Sequence, residues 1–226
     1  MKKEFFSQVE GYMQSCMKDS AHDMHHIYRV LYYALEIAAQ DPAVDHQVLI
    51  TACLLHDIGR PEQFADATVC HAQAGAEKAA AFLREQNCHE DFILKVCHCI
   101  RAHRFSKKSP PETIEAKILF DADKLDVVGA MGVARTLQYQ GTMDRPLYTL
   151  TPDGTVSDGT DTESPSFFQE YKRKLERLYD GFFTEPGQQL ARMRQAAAVD
   201  FYNNLYAELS RGYQIGKPLL ETYLQE

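Results

Sequence analysis

The stretch that most constrains this chain is Thr51-Ala-Cys-Leu-Leu-His-Asp-Ile-Gly-Arg60. Leu49, Ala52, Cys53 and His56 recur at helical spacing and so share one apolar stripe. That periodicity puts His56 on the buried face with Asp57 directly after it, and Gly59 and Pro61 read as the stop of the helix. A His-Asp pair at the inner end of an apolar helix is costly to bury unless both polar groups are compensated. A divalent cation compensates both by taking an imidazole nitrogen and a carboxylate oxygen. Taken alone, the pair is better read as a hydrogen-bonded core histidine followed by a capping aspartate. Matching residues on both sides of it in the chain change that balance.

On a helix that Asp23 can cap and that runs to about Gln40, His26, Val30, Tyr33 and Ile37 form one stripe. Arg29 sits a turn beyond His26 on the same flank, while His25 is rotated off the stripe, so the geometry selects His26. A helix opening near Cys70-His71 carries Ala74, Gly75 and Phe82 on the face of His71, and Phe92, Val96, Ile100 and His103 align over residues 91 to 103. After a break over Lys107-Lys-Ser-Pro-Pro-Glu112, where Pro111 and Glu112 suit a helix start, Ile114, Ile118, Leu119, Ala122 and Leu125 run inward. Asp121, Asp123 and Asp126 fall so close together there that periodicity does not choose a ligand among them.

His26, His56-Asp57 and Asp123 together resemble the H…HD…D signature of the HD-domain metal-dependent phosphohydrolases. His22-Asp-Met-His-His-Ile-Tyr-Arg-Val30 resembles the HDxxHxxRV opening of the YedJ/YpgQ-like branch of that family. His103-Arg-Phe-Ser106, Ala116-Lys-Ile-Leu119, Gly129-Ala-Met-Gly-Val-Ala-Arg135 and, less specifically, Asp180-Gly-Phe-Phe-Thr-Glu-Pro-Gly187 are similar to it too. The resemblance covers nearly the whole chain and selects Asp123, the middle aspartate of its run, as the ligand. Asp121 and Asp126 read as cap or ion-pair partners.

Strand-like alternation is nearly absent, which predicts an all-α fold; the resemblance makes it an HD-domain helical bundle with additional C-terminal helices. A single domain over residues 1–226 is expected, with the H…HD…D core in about 20–135 and a helical extension in about 165–226. The first helix is expected over residues 4 to 18, a loop over 61 to 69, and turn-dominated chain over 139 to 166. That last stretch is open between a lid, an insertion and an ordered surface loop, the loop being slightly preferred. Amphipathic helices are expected over 167 to 183 and 187 to 209, with a short last one over 218 to 225.

Two imidazoles and two carboxylates bind a first-row divalent cation (Mn, Mg, Ni, Co or Fe) and leave room for water, whose pKa the cation lowers. The expected ligands are His26, His56, Asp57 and Asp123. Arg29 and Lys124, each beside a proposed ligand, offset charge on phosphate oxygens, a role balanced against that of solvated surface cations. An H…HD…H…H…D order is the pattern of HD-domain members with two metals, whose chemistries include cyclic dinucleotide hydrolysis and di-iron oxygenation. In single-metal members the similarly placed histidines contact phosphate or hold the nucleophilic water. The single-metal case is preferred, which makes His71 and His103 catalytic.

A formal net charge of −8 argues against non-specific nucleic-acid binding but leaves small anionic substrates open. No leader-like or membrane-spanning apolar run is present in the sequence, and six cysteines without a disulfide-like framework suit a reducing cytoplasm. The expected function is a divalent-metal-dependent phosphohydrolase acting on a small phosphorylated metabolite, with a nucleotide preferred. The branch it resembles implies nucleoside triphosphates cleaved to monophosphate and pyrophosphate. The rivals are a di-iron oxygenase and a metal-containing ligand sensor with little turnover. Oligomeric state is left open, with a homodimer as one option.

Overall fold

The computed structural model describes residues 1–17, 24–39, 41–104, 110–160 and 164–224. These residues form ten α-helices and one 3-10 segment, and their only strand-like pairing is an isolated bridge between Leu150 and Val156. The chain is all-α. Its helices group into two compact units, Met1–Asp126 with Phe182–Gln188, and Val127–Gly181 with Gln189–Glu226.

The first unit contains α1 (Lys3–Cys16), α2 (Met24–Ala38), α3 (His46–Leu55), α4 (Arg60–Ala65), α5 (His71–Glu85), α6 (Glu90–Ala102) and α7 (Ile114–Leu125). Its centre is α3. Asp45 starts that helix by accepting hydrogen bonds from the Gln47 and Val48 amides. From Val48 to Leu55 every residue but Ile50 is buried, so the helix is apolar nearly all round and must be enclosed. It is enclosed by α1, α2, α5, α6 and α7. The stripes read from the sequence face inward: Val9 and Met13 on α1, His26, Val30 and Ile37 on α2, and Val96 and Ile100 on α6 are buried.

The turn after α3 is held by close backbone packing. A Cβ on Gly59 would collide with the backbone carbonyl of His71 and the backbone nitrogen of Gly75. From α5, Lys78 donates to the Ile58 carbonyl at 2.8 Å and to Glu62 at 2.8 Å. These contacts lay the His56-Asp57 turn against the first turn of α5, which begins with His71. At the far side, the buried Asp121 of α7 accepts from the Phe183 and Thr184 amides and the Thr184 hydroxyl at 2.6–2.8 Å.

The second unit contains α8 (Gly129–Thr142), α9 (Phe167–Arg173), the 3-10 segment Leu175–Asp180 and most of α10 (Glu185–Tyr223). Its core gathers Val133, Phe167, Phe168, Tyr171, Ala198 and Tyr202.

Several expected boundaries are corrected. Pro61 does not close α3. It occupies the first turn of α4, where its missing N–H costs nothing, so residues 60–65 are helical within the expected loop. Helix α1 ends at Cys16, α7 begins at Ile114 behind the Thr113 cap, and α8 takes residues 139–142 from the expected turn region. The helix expected over 167–183 breaks at Lys174, whose backbone leaves the helical region, and rewinds as the tighter 3-10 segment. Helix α10 runs unbroken through Pro218, which forfeits one helical hydrogen bond on an exposed stretch. The Asp23 cap, the Gln40 helix end, His22, and residues 105–109 lie outside the described residues.

The contact at Gly59 predicts that Gly59→Ala lowers stability by about 1–3 kcal/mol, because two backbones must separate. Gly11 lies in α1 with nothing within 4 Å of its missing Cβ, so Gly11→Ala should instead be neutral or stabilising by about 0.5–1 kcal/mol. Urea unfolding of both variants checks the pair. Equal effects would show that the Gly59 packing does not hold the turn.

Candidate metal centre

Six side chains of ligand type converge within the first unit. His26 comes from α2, His56 caps the C-terminus of α3 with Asp57 next, His71 opens α5, His103 caps α6, and Asp123 lies in the last turn of α7. All but Asp123 are buried.

Each imidazole has its Nδ1 held by an acceptor. His56 Nδ1 donates to the Cys53 carbonyl at 2.7 Å and His103 Nδ1 to the Ile100 carbonyl at 2.6 Å. Both acceptors belong to the last turn of a helix, where carbonyls lack intrahelical partners, so each capping histidine satisfies one of them. His71 Nδ1 lies 2.9 Å from Gln63 Oε1, and His26 Nδ1 lies 2.7 Å from Asp126 Oδ2. With Nδ1 carrying the proton, the neutral ring presents Nε2 as a bare lone pair, the arrangement that orients metal-binding histidines.

The four Nε2 atoms point inward in two pairs. His26 and His56 bring theirs to 3.4 Å, and His71 and His103 to 3.2 Å. Asp57 stands between the pairs. Its Oδ2 lies 3.7 Å from the His26 and His56 nitrogens, and its Oδ1 lies 3.6 Å from those of His71 and His103. Asp123 Oδ1 completes the first set at 3.3 Å from His26 and 4.0 Å from His56. The ligand atoms of His26, His56 and Asp123 lie within 4.8 Å of one another, as do those of Asp57, His71 and His103.

The two oxygens of Asp57 are not equivalent. Oδ1 accepts from Arg60 Nε at 2.9 Å, whereas Oδ2 is buried with no hydrogen-bond partner. A buried carboxylate oxygen without a hydrogen-bond partner beside two converging imidazole nitrogens is strongly unfavourable. The residues present therefore fit a divalent cation among His26, His56, Asp57 Oδ2 and Asp123, which would satisfy every one of these atoms.

Electrostatics follow the same layout. Burial pushes the His26 imidazole towards neutrality, but Asp123, Asp126 and Asp57 outweigh it and raise its pKa to about 9. His56 is driven down to about 4 by burial, and His71 to about 3 by burial and then by Arg60. Burial likewise opposes charge on His103, yet its contact with Asp57 raises its pKa. Asp57 is held well below the usual carboxylate range, burial being overcome by His56, His103 and Arg60.

Arg29 and Lys124 stand outside both sets. Arg29 Nε donates to Asp126 Oδ1 at 2.6 Å, so Asp126 carries Arg29 and His26 together. Lys124 Nζ lies over the rings of Phe120 and Phe182, 5.5 and 5.0 Å from their centroids. Two contributors escaped the sequence reading, Gln63 as the partner of His71 and Arg60 on Asp57. Asp126, expected as a cap or ion-pair partner, pairs with both His26 and Arg29. Three further histidines have local tasks. His89 caps α6, His98 accepts from the Glu112 amide, and His46 meets the Val44 carbonyl.

A ligand imidazole must be neutral, yet His26 in the metal-free chain holds its proton up to about pH 9. Loading a divalent cation at pH 7.5 should therefore release about one proton. Calorimetry in buffers of different ionisation enthalpy measures this as the slope of the observed heat. A slope of zero would remove His26 from the ligand set or its proton from the metal-free state.

Comparison with known proteins extends the picture. Residues 24–128 match the HD domain family. The chain is 28% identical to YpgQ of Bacillus subtilis (strain 168) over 211 residues, 89% of this chain and 92% of YpgQ. An HD-superfamily hydrolase of Bacillus thuringiensis superposes with a TM-score of 0.70 at 28% identity, covering 92% of this chain and 98% of the other. The structure of Bacillus subtilis YpgQ in complex with ADP superposes with a TM-score of 0.68 at 26% identity, covering 90% and 94%. Fold, ligand-type residues and sequence agree: residues 24–128 match the HD domain, and nearly the whole chain is similar to YpgQ and to HD-superfamily hydrolases.

Proposed function

We propose that this chain is a divalent-metal-dependent phosphohydrolase acting on a small phosphorylated metabolite, specifically a nucleotide. The observation that carries the proposal is the buried Asp57 Oδ2, without a hydrogen-bond partner, facing the Nε2 atoms of His26 and His56. The nucleotide is supported by the ADP complex of YpgQ, and the negative charge of the chain suits a substrate that needs a local cation.

His26, His56, Asp57 and Asp123 would hold the cation, which acts as a Lewis acid on a phosphoryl oxygen and makes water more acidic. The chain's own residues do the rest. Asp126 and the Cys53 carbonyl keep the His26 and His56 rings in the tautomer that a ligand needs. His71, kept neutral, offers Nε2 as acceptor for a proton from the attacking water. His103, whose charged form Asp57 favours, donates to a phosphate oxygen. Lys124, beside Asp123, adds positive charge for the leaving phosphate, while Arg29 acts on the substrate only through Asp126 and His26.

Arg60 favours one cation over two, because it already occupies the Asp57 oxygen that faces His71 and His103. One observation favours a second reading: that same oxygen stands 3.6 Å from both imidazoles, a spacing that suits a dinuclear site and with it a di-iron oxygenase.

Single alanine variants separate the readings. His26→Ala, His56→Ala, Asp57→Ala and Asp123→Ala should each lose metal and activity. His71→Ala and His103→Ala should keep one metal per chain while turnover falls by about 10²–10⁴-fold. Two tightly bound metals in the unmodified protein, falling to one in those two variants, would replace the single-metal reading by the dinuclear one.

The reaction has its own test. Chelated protein should be inactive, and Mn²⁺, Co²⁺, Ni²⁺ or Mg²⁺ should restore hydrolysis. Phosphorus NMR of a nucleoside triphosphate digest should show monophosphate and pyrophosphate, with label from ¹⁸O-water locating the attacked atom. Orthophosphate with nucleoside diphosphate would overturn the regiochemistry, and an O₂-dependent product without phosphate release would overturn the hydrolase.

A further inference from the structure

The edge of the centre formed by His71 and His103 carries a cation that the reaction proposed above leaves unused. His103 caps α6 and Arg104 follows it directly, while Cys70 caps α5 and His71 opens that helix. Arg104 reaches across between these two helix ends, its Nη1 donating to the Cys70 thiol at 3.8 Å. They are the ends that bring the Nε2 atoms of His71 and His103 to 3.2 Å. The guanidinium is close enough for its charge to act there: burial, Arg60, His103 and Arg104 all disfavour the charged form of His71.

Arg104 is exposed, and among the described residues it meets no carboxylate. Arg29 and Arg60 differ. Arg29 pairs with Asp126 at 2.6 Å and Arg60 with Asp57 at 2.9 Å. Both carboxylates are buried, so either arginine would uncover a buried charge by turning to a substrate. Lys124 follows Asp123 in α7 instead. A guanidinium held by a thiol alone gives up little when it turns to an anion, because a thiol is a weak acceptor.

We propose that Arg104 is a substrate-binding residue, taking two oxygens of the phosphate chain of a nucleoside di- or triphosphate at the His71 and His103 edge. A divalent cation in the centre would meet Asp57 and Asp123, whose charges cancel its own. A phosphate chain with several negative charges then needs a further cation. The planar fork of a guanidinium matches two phosphate oxygens at once, which an ammonium does not. Cys70 keeps the side chain drawn across the two helix ends, beside the histidine that the reaction uses to donate to a phosphate oxygen. The inference rests on the nucleotide reading above and narrows it to substrates with a phosphoanhydride chain.

Calorimetric titration of the Mn²⁺-loaded full chain with α,β-methylene-ADP, whose P–C–P link resists hydrolysis, tests the proposal. The unmodified protein should bind the analogue, and Arg104→Ala should raise its Kd by about tenfold or more. Arg104→Lys keeps the charge without the fork and should fall between the two. Metal content and thermal unfolding of both variants should match the unmodified protein, because the side chain is exposed. Arg101→Ala removes the same charge one turn earlier on α6 and should leave Kd within about twofold. An unmodified protein that does not bind the analogue overturns the proposal, as does an Arg104→Ala variant that binds it equally well. Arg101→Ala as weak as Arg104→Ala would reduce the effect to general charge and overturn it too. No turnover is read, so analogue binding that depends on Arg104, in a protein that releases no phosphate from any nucleotide, would overturn the hydrolase and leave this contact standing.

Discussion

Burial of Asp57 is the interaction on which the first unit depends. Helix α3 is enclosed on nearly every side, and its chain emerges from that apolar surround directly into His56 and Asp57. An uncompensated charge there would cost several kcal/mol. Arg60 offsets one carboxylate oxygen, and four imidazoles surround the rest. The packing around Gly59 and the anchor from Lys78 keep the turn where those partners reach it. Structure and chemistry are coupled at this point, because the oxygen left without a partner is the one that a cation would take.

Helix ends supply the precision. A histidine just past the last turn can give its Nδ1 proton to a carbonyl that the helix has left without a partner, and its Nε2 then points away from the helix axis. His56 on Cys53 and His103 on Ile100 use the same three-residue return. His26, inside α2, has no such carbonyl and uses Asp126 instead, which also accepts from Arg29. The cost of fixing these rings is met by bonds that the helices needed in any case.

Much of this was legible in the sequence, and the limits have physical causes. Apolar stripes at helical spacing located His26, His56 and His103, because burial and periodicity are the same fact for a packed helix. They could not choose among Asp121, Asp123 and Asp126, which differ by rotations that a short segment does not resolve; the family resemblance chose Asp123. The structure gives the other two distinct tasks, Asp121 on the Phe183 and Thr184 amides and Asp126 on His26 and Arg29. Gln63 leaves no signal in the sequence, since its bond to His71 joins two elements and the residues around it have the mixed polarity of a loop. Pro61 misled because proline marks both the first turn of a helix and the end of one. Pro218 misled for a different reason: a long exposed helix tolerates the loss of one hydrogen bond.

The central claim is that His26 and His56 offer Nε2 to one cation while Asp126 and Cys53 retain their Nδ1 protons. Proton NMR of the Co²⁺-loaded protein in light and heavy water reads this directly, since a ring bound through Nε2 keeps an exchangeable Nδ1–H close enough to the ion to be strongly shifted. Two such shifted, exchangeable resonances are expected, both surviving in His71→Ala and His103→Ala. Shifted ring protons with no exchangeable partner, or four exchangeable signals in place of two, would contradict it.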